Sequence, residues 1–285
     1  MVRAVIERAD VMGFQCNSKR CAPPIGGSDD NPGNGDASTA GTIDQRSLRS
    51  AERQSNLARA RDVDEGITDT MKSVANAVGG RMAGLKFKYK KVDKIAEKIQ
   101  RKVSEKGLSP EKAERGITDA LRFTMVFTTK GYTKGVSDAK TQIEDAGLEI
   151  IEESNKWVDG TPYAGHHLLV RSPRGQVFEL QFHTAKSLEV KEGKLHKLYE
   201  IERKLPKQSS AEYKSMSKAE QAKVEAKRND LTDQMWTAAA EISVPPTVER
   251  LPSSEEYTPP EPTARRGPNA PRLPREVLPR SMRKE

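Results

Sequence analysis

Residues 175–184, Gly-Gln-Val-Phe-Glu-Leu-Gln-Phe-His-Thr, show a two-residue alternation of side chains. Successive side chains of a β-strand point to opposite faces of the sheet, so the pattern predicts a strand with one apolar face for the core. That apolar face consists of Phe178, Leu180 and Phe182. The opposite face carries Val177, Glu179, Gln181 and His183. Two interpretations stay open here: a half-exposed strand with a chance polar set, or the wall of a functional site.

The rest of the chain alternates between strand and helix patterns. Period-two patterns and short apolar runs predict further strands at residues 85–90, 121–127, 148–155 and 166–171. Apolar residues three and four positions apart predict helices at residues 68–78, 92–103, 136–146, 184–204 and 217–242. A turn at Ser172–Gly175 joins the last two strands in a hairpin. Together these elements predict an α+β fold, with a mixed, mainly antiparallel sheet flanked by helices.

Composition divides the chain into three parts. Over all 285 residues the hydrophobic fraction is 34% and the mean hydropathy is −0.76. Large apolar residues are scarce in residues 15–60 and 245–285, which are rich in Gly, Pro, Ser, Asp and Arg. We therefore predict a weakly ordered N-terminal flank (1–65), one folded domain (66–243) and a disordered tail rich in Pro and Arg (244–285).

The net charge and the cysteine content limit the classes of partner that the chain is expected to bind. A formal net charge of +8 and a pI of about 9.3 favour anionic partners such as nucleotides or nucleic acid. No stretch reads as a helix-turn-helix, zinc finger or RNA-binding motif, and Cys16 and Cys21 form a poor zinc site. No apolar run approaches the roughly 20 residues that span a bilayer, and the start lacks a signal-peptide pattern. A cytoplasmic protein without a membrane partner is expected, and export by a signal-independent route stays open.

Basic residues cluster around the first predicted strand. Lys86, Lys88 and Lys90 would share one face of that strand, and further cations stand nearby. These neighbours are Arg81, Lys91, Lys94 and Lys98. A lysine run is usually a solvated basic face, but point charges at strand spacing also suit a polyphosphate chain.

Two carboxylates stand close to buried strands. Asp119 lies with Arg122 at the start of strand 121–127, and Glu179 lies on the polar face of strand 175–184. Asp119 suits a turn or cap position, or equally a Mg²⁺ ligand, because hard cations take one or two carboxylates plus substrate phosphates. Separated carboxylates beside several cations suit metal-assisted phosphoryl transfer.

Three motifs in this order resemble the RelA/SpoT synthetase domain. They are Asp119-Ala-Leu-Arg-Phe-Thr, Tyr163-Ala-Gly-His-His and the hairpin from Arg171 to Thr184. The resemblance spans about residues 79–204 and implies a nucleotidyltransferase-like synthetase fold. It implies a Mg²⁺-dependent ATP:nucleotide 3′-pyrophosphokinase, which moves the β,γ-pyrophosphate of ATP to the 3′-hydroxyl of GDP or GTP and makes the alarmone (p)ppGpp.

The resemblance also implies roles for single residues. Asp119 and Glu179 match the catalytic acidic residues and the metal ligands. Lys88 and Lys90 match the basic pair at the ATP phosphates, with Lys98 and Arg81 as further cations. Tyr163 matches the tyrosine that stacks on the acceptor base, and the other implied acceptor-side residues are His167, Gln181, Arg122 and His183.

Departures from the family pattern leave the acceptor open. Lysine stands at the first basic position, where arginine is frequent, Lys94 replaces a common serine, and His183 replaces a common arginine. These features resemble short, stand-alone and toxin-like members. Guanosine nucleotides, adenosine nucleotides and the 3′ end of tRNA are therefore all candidate acceptors, and the oligomeric state stays open. A catalytically inactive nucleic-acid-binding module is the alternative of another class, and retention of both Asp119 and Glu179 argues against it.

Overall fold

A computed structural model describes residues 43–254 and contains a five-stranded sheet with strand order β1-β2-β5-β4-β3. The strands are β1 (Arg81–Ala83), β2 (Arg122–Phe127), β3 (Glu149–Asn155), β4 (His166–Arg171) and β5 (Val177–Thr184). β2 and β5 run parallel, and the other three neighbouring pairs are antiparallel. The sheet is therefore mixed and mainly antiparallel with flanking helices, and the predicted α+β fold class is confirmed.

The apolar face of the sheet forms the core. Phe178, Leu180 and Phe182 of β5 have 0% exposure, as their alternation predicts. Phe123 of β2 meets Phe178 edge to face, with ring centroids 5.6 Å apart. Aromatic pairs in this geometry add to the free energy gained from apolar burial. Because side chains alternate, the same packing fixes the opposite face of β5 as the polar one.

Helices flank this sheet along most of the described chain. They are α1 (Gln45–Glu65), α2 (Ile67–Ala77), α3 (Val92–Lys106), α4 (Pro110–Arg115), α5 (Tyr132–Asp145), α6 (Ala185–Val190), α7 (His196–Glu202), α8 (Ala211–Ser215) and α9 (Lys218–Ala239). The apolar positions of α3 bury Ile95, Ala96 and Ile99 as expected, and Gly107 at φ 62° ends the helix. Residues Lys191–Leu195 form one π-helical turn inside the helix predicted at 184–204.

The N-terminal helix α1 belongs to the packed body. Asp44 caps it by accepting from the amides of Arg46 and Ser47. The buried face of α1 carries small side chains such as Ala51 and Ala58. They pack in the same core cluster as the buried residues of helix α3. The prediction of a weakly ordered flank at residues 1–65 is wrong for residues 45–65, which form a packed helix. Small residues allow this close packing without a wide apolar stripe. Residues 1–42, which hold the rest of that prediction, lie outside the described residues.

The C-terminal side of the packed body reaches residue 254. The amide of Ser254 donates to the Glu153 carbonyl at 2.8 Å, and the amide of Asn155 donates to the Ser253 hydroxyl at 2.9 Å. Residues 253–254 thereby cover part of the β3 edge, beyond the domain end predicted at 243. Residues 255–285, which contain most of the predicted tail, lie outside the described residues. Among residues 43–254, no helix is long and apolar enough to cross a membrane.

The predicted cationic strand at residues 85–90 is wrong. Gly84 adopts a left-handed conformation at φ 61°, and Leu85–Phe87 form a single 3₁₀ turn after the short β1. Tyr89 makes an isolated bridge to Leu121. Because the backbone turns here, Lys86, Lys88 and Lys90 do not form a regular ladder on one strand face.

Candidate active site

The candidate site lies on the polar face of β5, between β2 and β4. Strand pairing places Arg122 beside Glu179 and His167 beside Gln181. The helical segment that follows β5, Ala185–Leu195, returns across this face and brings Lys191 to Gln181. The alternation that buries the aromatic core therefore gathers the polar residues of three strands in one place.

Glu179 is a buried carboxylate, and one of its two oxygens contacts another side chain. Its residue exposure is 8%, and Oε1 lies 3.2 Å from His167 Nδ1. Burial raises the pKa of Glu179, but the hydrogen bond and charge of His167, with the Arg122 charge, outweigh burial and lower the pKa to about 2. Oε2 is buried and has no hydrogen-bond partner among the described residues. Glu179 is therefore ionised at neutral pH and keeps an acceptor available for a ligand.

Asp119 lies just before β2 and holds two lysines. Its Oδ1 is 2.7 Å from Lys98 Nζ, and its Oδ2 is 3.2 Å from Lys90 Nζ. Burial opposes ionisation, yet Lys98 and Lys90 together hold the pKa of Asp119 well below its usual range. The structure therefore places Asp119 beside Lys90 and Lys98, two of the cations predicted to contact the ATP phosphates.

The two carboxylates differ in their fit to a metal ion. Glu179 has an unpartnered oxygen of the kind that Mg²⁺ prefers, and the Asp119 charge lies close enough to raise the pKa of Glu179. Both oxygens of Asp119 face lysines, so a cation there requires Lys90 or Lys98 to turn away. The described residues contain no group of three or more metal-ligating side chains. The donor set fits an ion that completes its shell with substrate phosphates and water.

The other predicted phosphate contacts separate in space. Lys88 Nζ lies 2.8 Å from Asp62 Oδ2, at the end of helix α1, and 2.6 Å from the Thr68 hydroxyl. Asp62 is 3% exposed and also accepts a hydrogen bond from the Tyr89 hydroxyl. Arg81 is exposed on the edge strand β1. In this structure Lys88 and Lys90 therefore form ion pairs with two different carboxylates.

A chain of hydrogen bonds runs from Glu179 into the interior. The hydroxyl of Tyr163 lies 2.7 Å from His167 Nε2 and 3.0 Å from His183 Nε2. His183 Nδ1 lies 3.1 Å from both the Ala164 carbonyl oxygen and the Ser187 hydroxyl. Burial first, and then the charges of Lys191 and His167, lower the pKa of His183 well below its usual value, so this ring is neutral.

The hydrogen-bond partners determine which ring nitrogens of His183 and His167 carry a hydrogen. The Ala164 carbonyl can only accept, so His183 carries its hydrogen on Nδ1 and accepts at Nε2 from the Tyr163 hydroxyl. The Tyr163 oxygen then accepts from His167 Nε2, so a second hydrogen, on Nδ1, makes His167 the cation that lowers the pKa of Glu179. His167 Nδ1 faces Glu179. The contact between Glu179 and His167 is therefore the place where one shared proton is held.

Tyr163 is placed differently from its predicted role. Its ring is 1% exposed and lies edge-on to His167 and His183. A Cβ on Gly165 would lie 2.8 Å from His183 Cε1 and 3.1 Å from Tyr163 Cε1, so only glycine fits without displacement. Stacking of an acceptor base on Tyr163 requires the covering segment to move, and that role stays a prediction.

Lys191 is the site residue that sequence reasoning missed. It is 2% exposed, and its Nζ donates to Gln181 Oε1 at 2.7 Å. Burial, together with the Arg122 charge, lowers the pKa of Lys191 to about 7 although Glu179 raises it. The signal was its spacing: Lys191 follows Leu188 by three residues and precedes Leu195 by four, the spacing of an inward helix face.

No family model matches the chain, and no curated protein matches it. Several solved structures do match. The complex of the Type VI effector Tas1 with its immunity protein matches at 17% identity, over 68% of this chain and 98% of that one, with a TM-score of 0.39. Small alarmone synthetase 1 from Bacillus subtilis, bound to its product pppGpp, matches at 14% identity, over 68% and 96%, with a TM-score of 0.36.

A GTP pyrophosphokinase family protein from Streptococcus pneumoniae matches at 14% identity, over 69% of this chain and 96% of that one, with a TM-score of 0.32. All three identities are below 20% and all three TM-scores are below 0.5. The assignment of chemistry to this site therefore depends on its own residues. The matching structures include small alarmone synthetases and a Type VI effector.

Proposed function

We propose that this chain is a RelA/SpoT-like pyrophosphokinase that moves the β,γ-pyrophosphate of ATP to the 3′-hydroxyl of a purine nucleotide. A guanosine nucleotide is the first candidate acceptor and an adenosine nucleotide the second. The observation that carries the proposal is Glu179, a buried and ionised carboxylate with one unpartnered oxygen. A carboxylate in this state can accept the proton of a hydroxyl group.

The proposed step balances as follows. The 3′-oxygen attacks the β-phosphorus of ATP and forms the new P–O bond, the bond from that phosphorus to the α–β bridging oxygen breaks, and AMP leaves. The hydroxyl proton passes to Glu179, whose other oxygen faces His167. The oxygen of Glu179 without a partner can take that proton, while Tyr163 and His183 keep the His167 ring in place against the other oxygen.

The cations around Asp119 supply the second half of the site. Lys90 and Lys98 balance one buried carboxylate in the ligand-free structure, and their side chains are 12% and 24% exposed. ATP phosphates offer the same lysines more negative charge, so we expect both to turn towards the nucleotide. Asp119 and Glu179 would then hold Mg²⁺, which would neutralise charge developing on the phosphates.

The experiment is one incubation series with γ-labelled ATP, Mg²⁺ and separate acceptors: GDP, GTP, AMP, ADP, ATP and bulk tRNA. Label should move to a purine nucleotide, and Glu179→Gln and Asp119→Asn should each abolish transfer. Glu189→Gln is the matched control, because Glu189 is exposed on helix α6 and pairs with Lys186. Circular dichroism establishes whether each variant folds. Absence of transfer to every acceptor contradicts the enzyme proposal.

The tRNA 3′ end is the third candidate acceptor, and the net charge of +8 favours it. A tRNA substrate would make the reaction rate fall steeply with salt, because each phosphate contact releases counterions. A mononucleotide acceptor predicts a shallow salt dependence. Comparison of the rates at 50 and 200 mM salt therefore distinguishes the two acceptors.

A further inference from the structure

Two buried side-chain atoms on β5 have no hydrogen-bond partner within residues 43–254. They are Oε2 of Glu179, an acceptor, and Nε2 of Gln181, a donor. The two residues are 8% and 0% exposed. Buried polar atoms are nearly always paired in folded proteins, so each exception needs an explanation. Glu179 and Gln181 lie two positions apart on one strand face, so the unpartnered acceptor and donor are neighbours.

Lys191 determines which end of the Gln181 amide is available. Lys191 Nζ donates to the amide oxygen of Gln181 at 2.7 Å, so the amide N–H group is left over. Lys191 begins the π-helical turn Lys191–Leu195, an irregular helix form that is often found at functional sites. Burial of this lysine costs desolvation, which supports a positioning role.

We propose that Lys191 is a positioning residue that turns the Gln181 amide so that its N–H, together with Glu179 Oε2, binds the neighbouring 2′- and 3′-hydroxyls of an acceptor ribose. The 3′-hydroxyl donates to Glu179, and the 2′-oxygen accepts from Gln181. This inference rests on the proposed pyrophosphokinase function. It adds that the acceptor is a ribose with both hydroxyls free and that its 2′-hydroxyl is recognised directly.

The consequence is discrimination against 2′-deoxyribonucleotides. A deoxy acceptor leaves the Gln181 N–H buried without a partner, and a site built to bind a hydroxyl rejects analogues that lack it. One lost hydrogen bond corresponds to roughly a tenfold change in an equilibrium constant. We therefore expect GDP or ADP to bind at least about tenfold more tightly than the matching 2′-deoxy nucleotide.

The experiment measures two ratios for the full chain: the ratio of dissociation constants by calorimetry, and the ratio of kcat/KM by label transfer. Each ratio compares GDP with 2′-deoxy-GDP and ADP with 2′-deoxy-ADP. Gln181→Glu keeps a partner for Lys191 and replaces only the N–H by an acceptor oxygen. Lys191→Met removes the cation while keeping an unbranched side chain. Lys186→Met is the control, because Lys186 lies in the same helical segment but its side chain is 39% exposed.

Wild type and Lys186→Met should discriminate about tenfold or more, and Gln181→Glu and Lys191→Met should both fall towards a ratio of one. Equal binding of ribo and deoxy nucleotides by wild type, or wild-type ratios in Gln181→Glu, would overturn the proposal.

A wild-type ratio in folded Lys191→Met would overturn the positioning role. If Lys191→Met does not fold, Gln181→Glu decides. If wild type transfers no label, the proposed function fails, and the binding ratio still tests ribose recognition.

Discussion

Replacement of Tyr163 by phenylalanine separates the two roles considered for this residue. Phenylalanine keeps an aromatic face, so a base-stacking role would survive the change. The hydroxyl, however, joins His167 Nε2 at 2.7 Å and His183 Nε2 at 3.0 Å in the protein interior. Its removal leaves two buried ring nitrogens without a partner. We therefore expect Tyr163→Phe to destabilise the folded state.

The magnitude follows from the two orphaned nitrogens. A buried donor or acceptor left unpaired costs about 1–3 kcal/mol, so the pair predicts a loss of about 2–6 kcal/mol in the free energy of unfolding. That is a large share of the roughly 5–15 kcal/mol that stabilises an ordinary domain. Urea titration followed by circular dichroism measures the loss, and a thermal scan should show a lower Tm by about 4 °C or more.

A matched control is Tyr199→Phe, since Tyr199 is partly buried and its hydroxyl makes no hydrogen bond to any of residues 43–254. This control should change the free energy of unfolding by no more than about 0.5 kcal/mol. A Tyr163→Phe variant as stable as the control would refute the hydrogen-bond chain. Loss of acceptor affinity in a Tyr163→Ala variant, without such loss in Tyr163→Phe, would instead support stacking.

Three further outcomes follow from buried contacts. Gly165→Ala should cost about 1–3 kcal/mol in urea titrations, because the added methyl group overlaps His183, and a change within error would contradict the close approach. The pKa of folded His183 is depressed and that of the unfolded residue is about 6.5, so the unfolded state alone gains this proton as pH falls. The free energy of unfolding should therefore drop between pH 7.5 and 5.5, and His183→Gln should flatten that slope. Asp62→Asn should cost about 3 kcal/mol because Lys88 loses its anionic partner, whereas Asp64→Asn, at an exposed position, should be neutral.

The main features of the sheet were predictable from local pattern. Phe178, Leu180 and Phe182 are buried as the alternation of β5 requires, and Glu179 and Gln181 lie together on the other face. The hairpin with β4 was predictable as well, because turn residues stand between two alternating segments. Side-chain periodicity and turn chemistry depend only on residues close in sequence, which explains why these predictions are confirmed.

The lysine contacts could not be predicted in the same way. Lys88 pairs with Asp62 and Lys90 pairs with Asp119, and each partner lies more than 20 positions away. Helix α1 was underestimated because it packs through alanine and serine, which a search for large apolar residues overlooks. Lys191 was overlooked for a related reason: a buried cation carries no signal except its spacing among apolar neighbours.

The contact between residues 253–254 and β3 has a practical consequence for recombinant fragments. β3 is an edge strand, and its backbone donors at Glu153 and Asn155 are satisfied by Ser254 and Ser253. A fragment that stops at residue 243 would uncover these amides, and uncovered strand edges pair readily with other chains. We expect such a fragment to self-associate during purification, and a fragment that spans residues 43–254 to remain dispersed in light scattering.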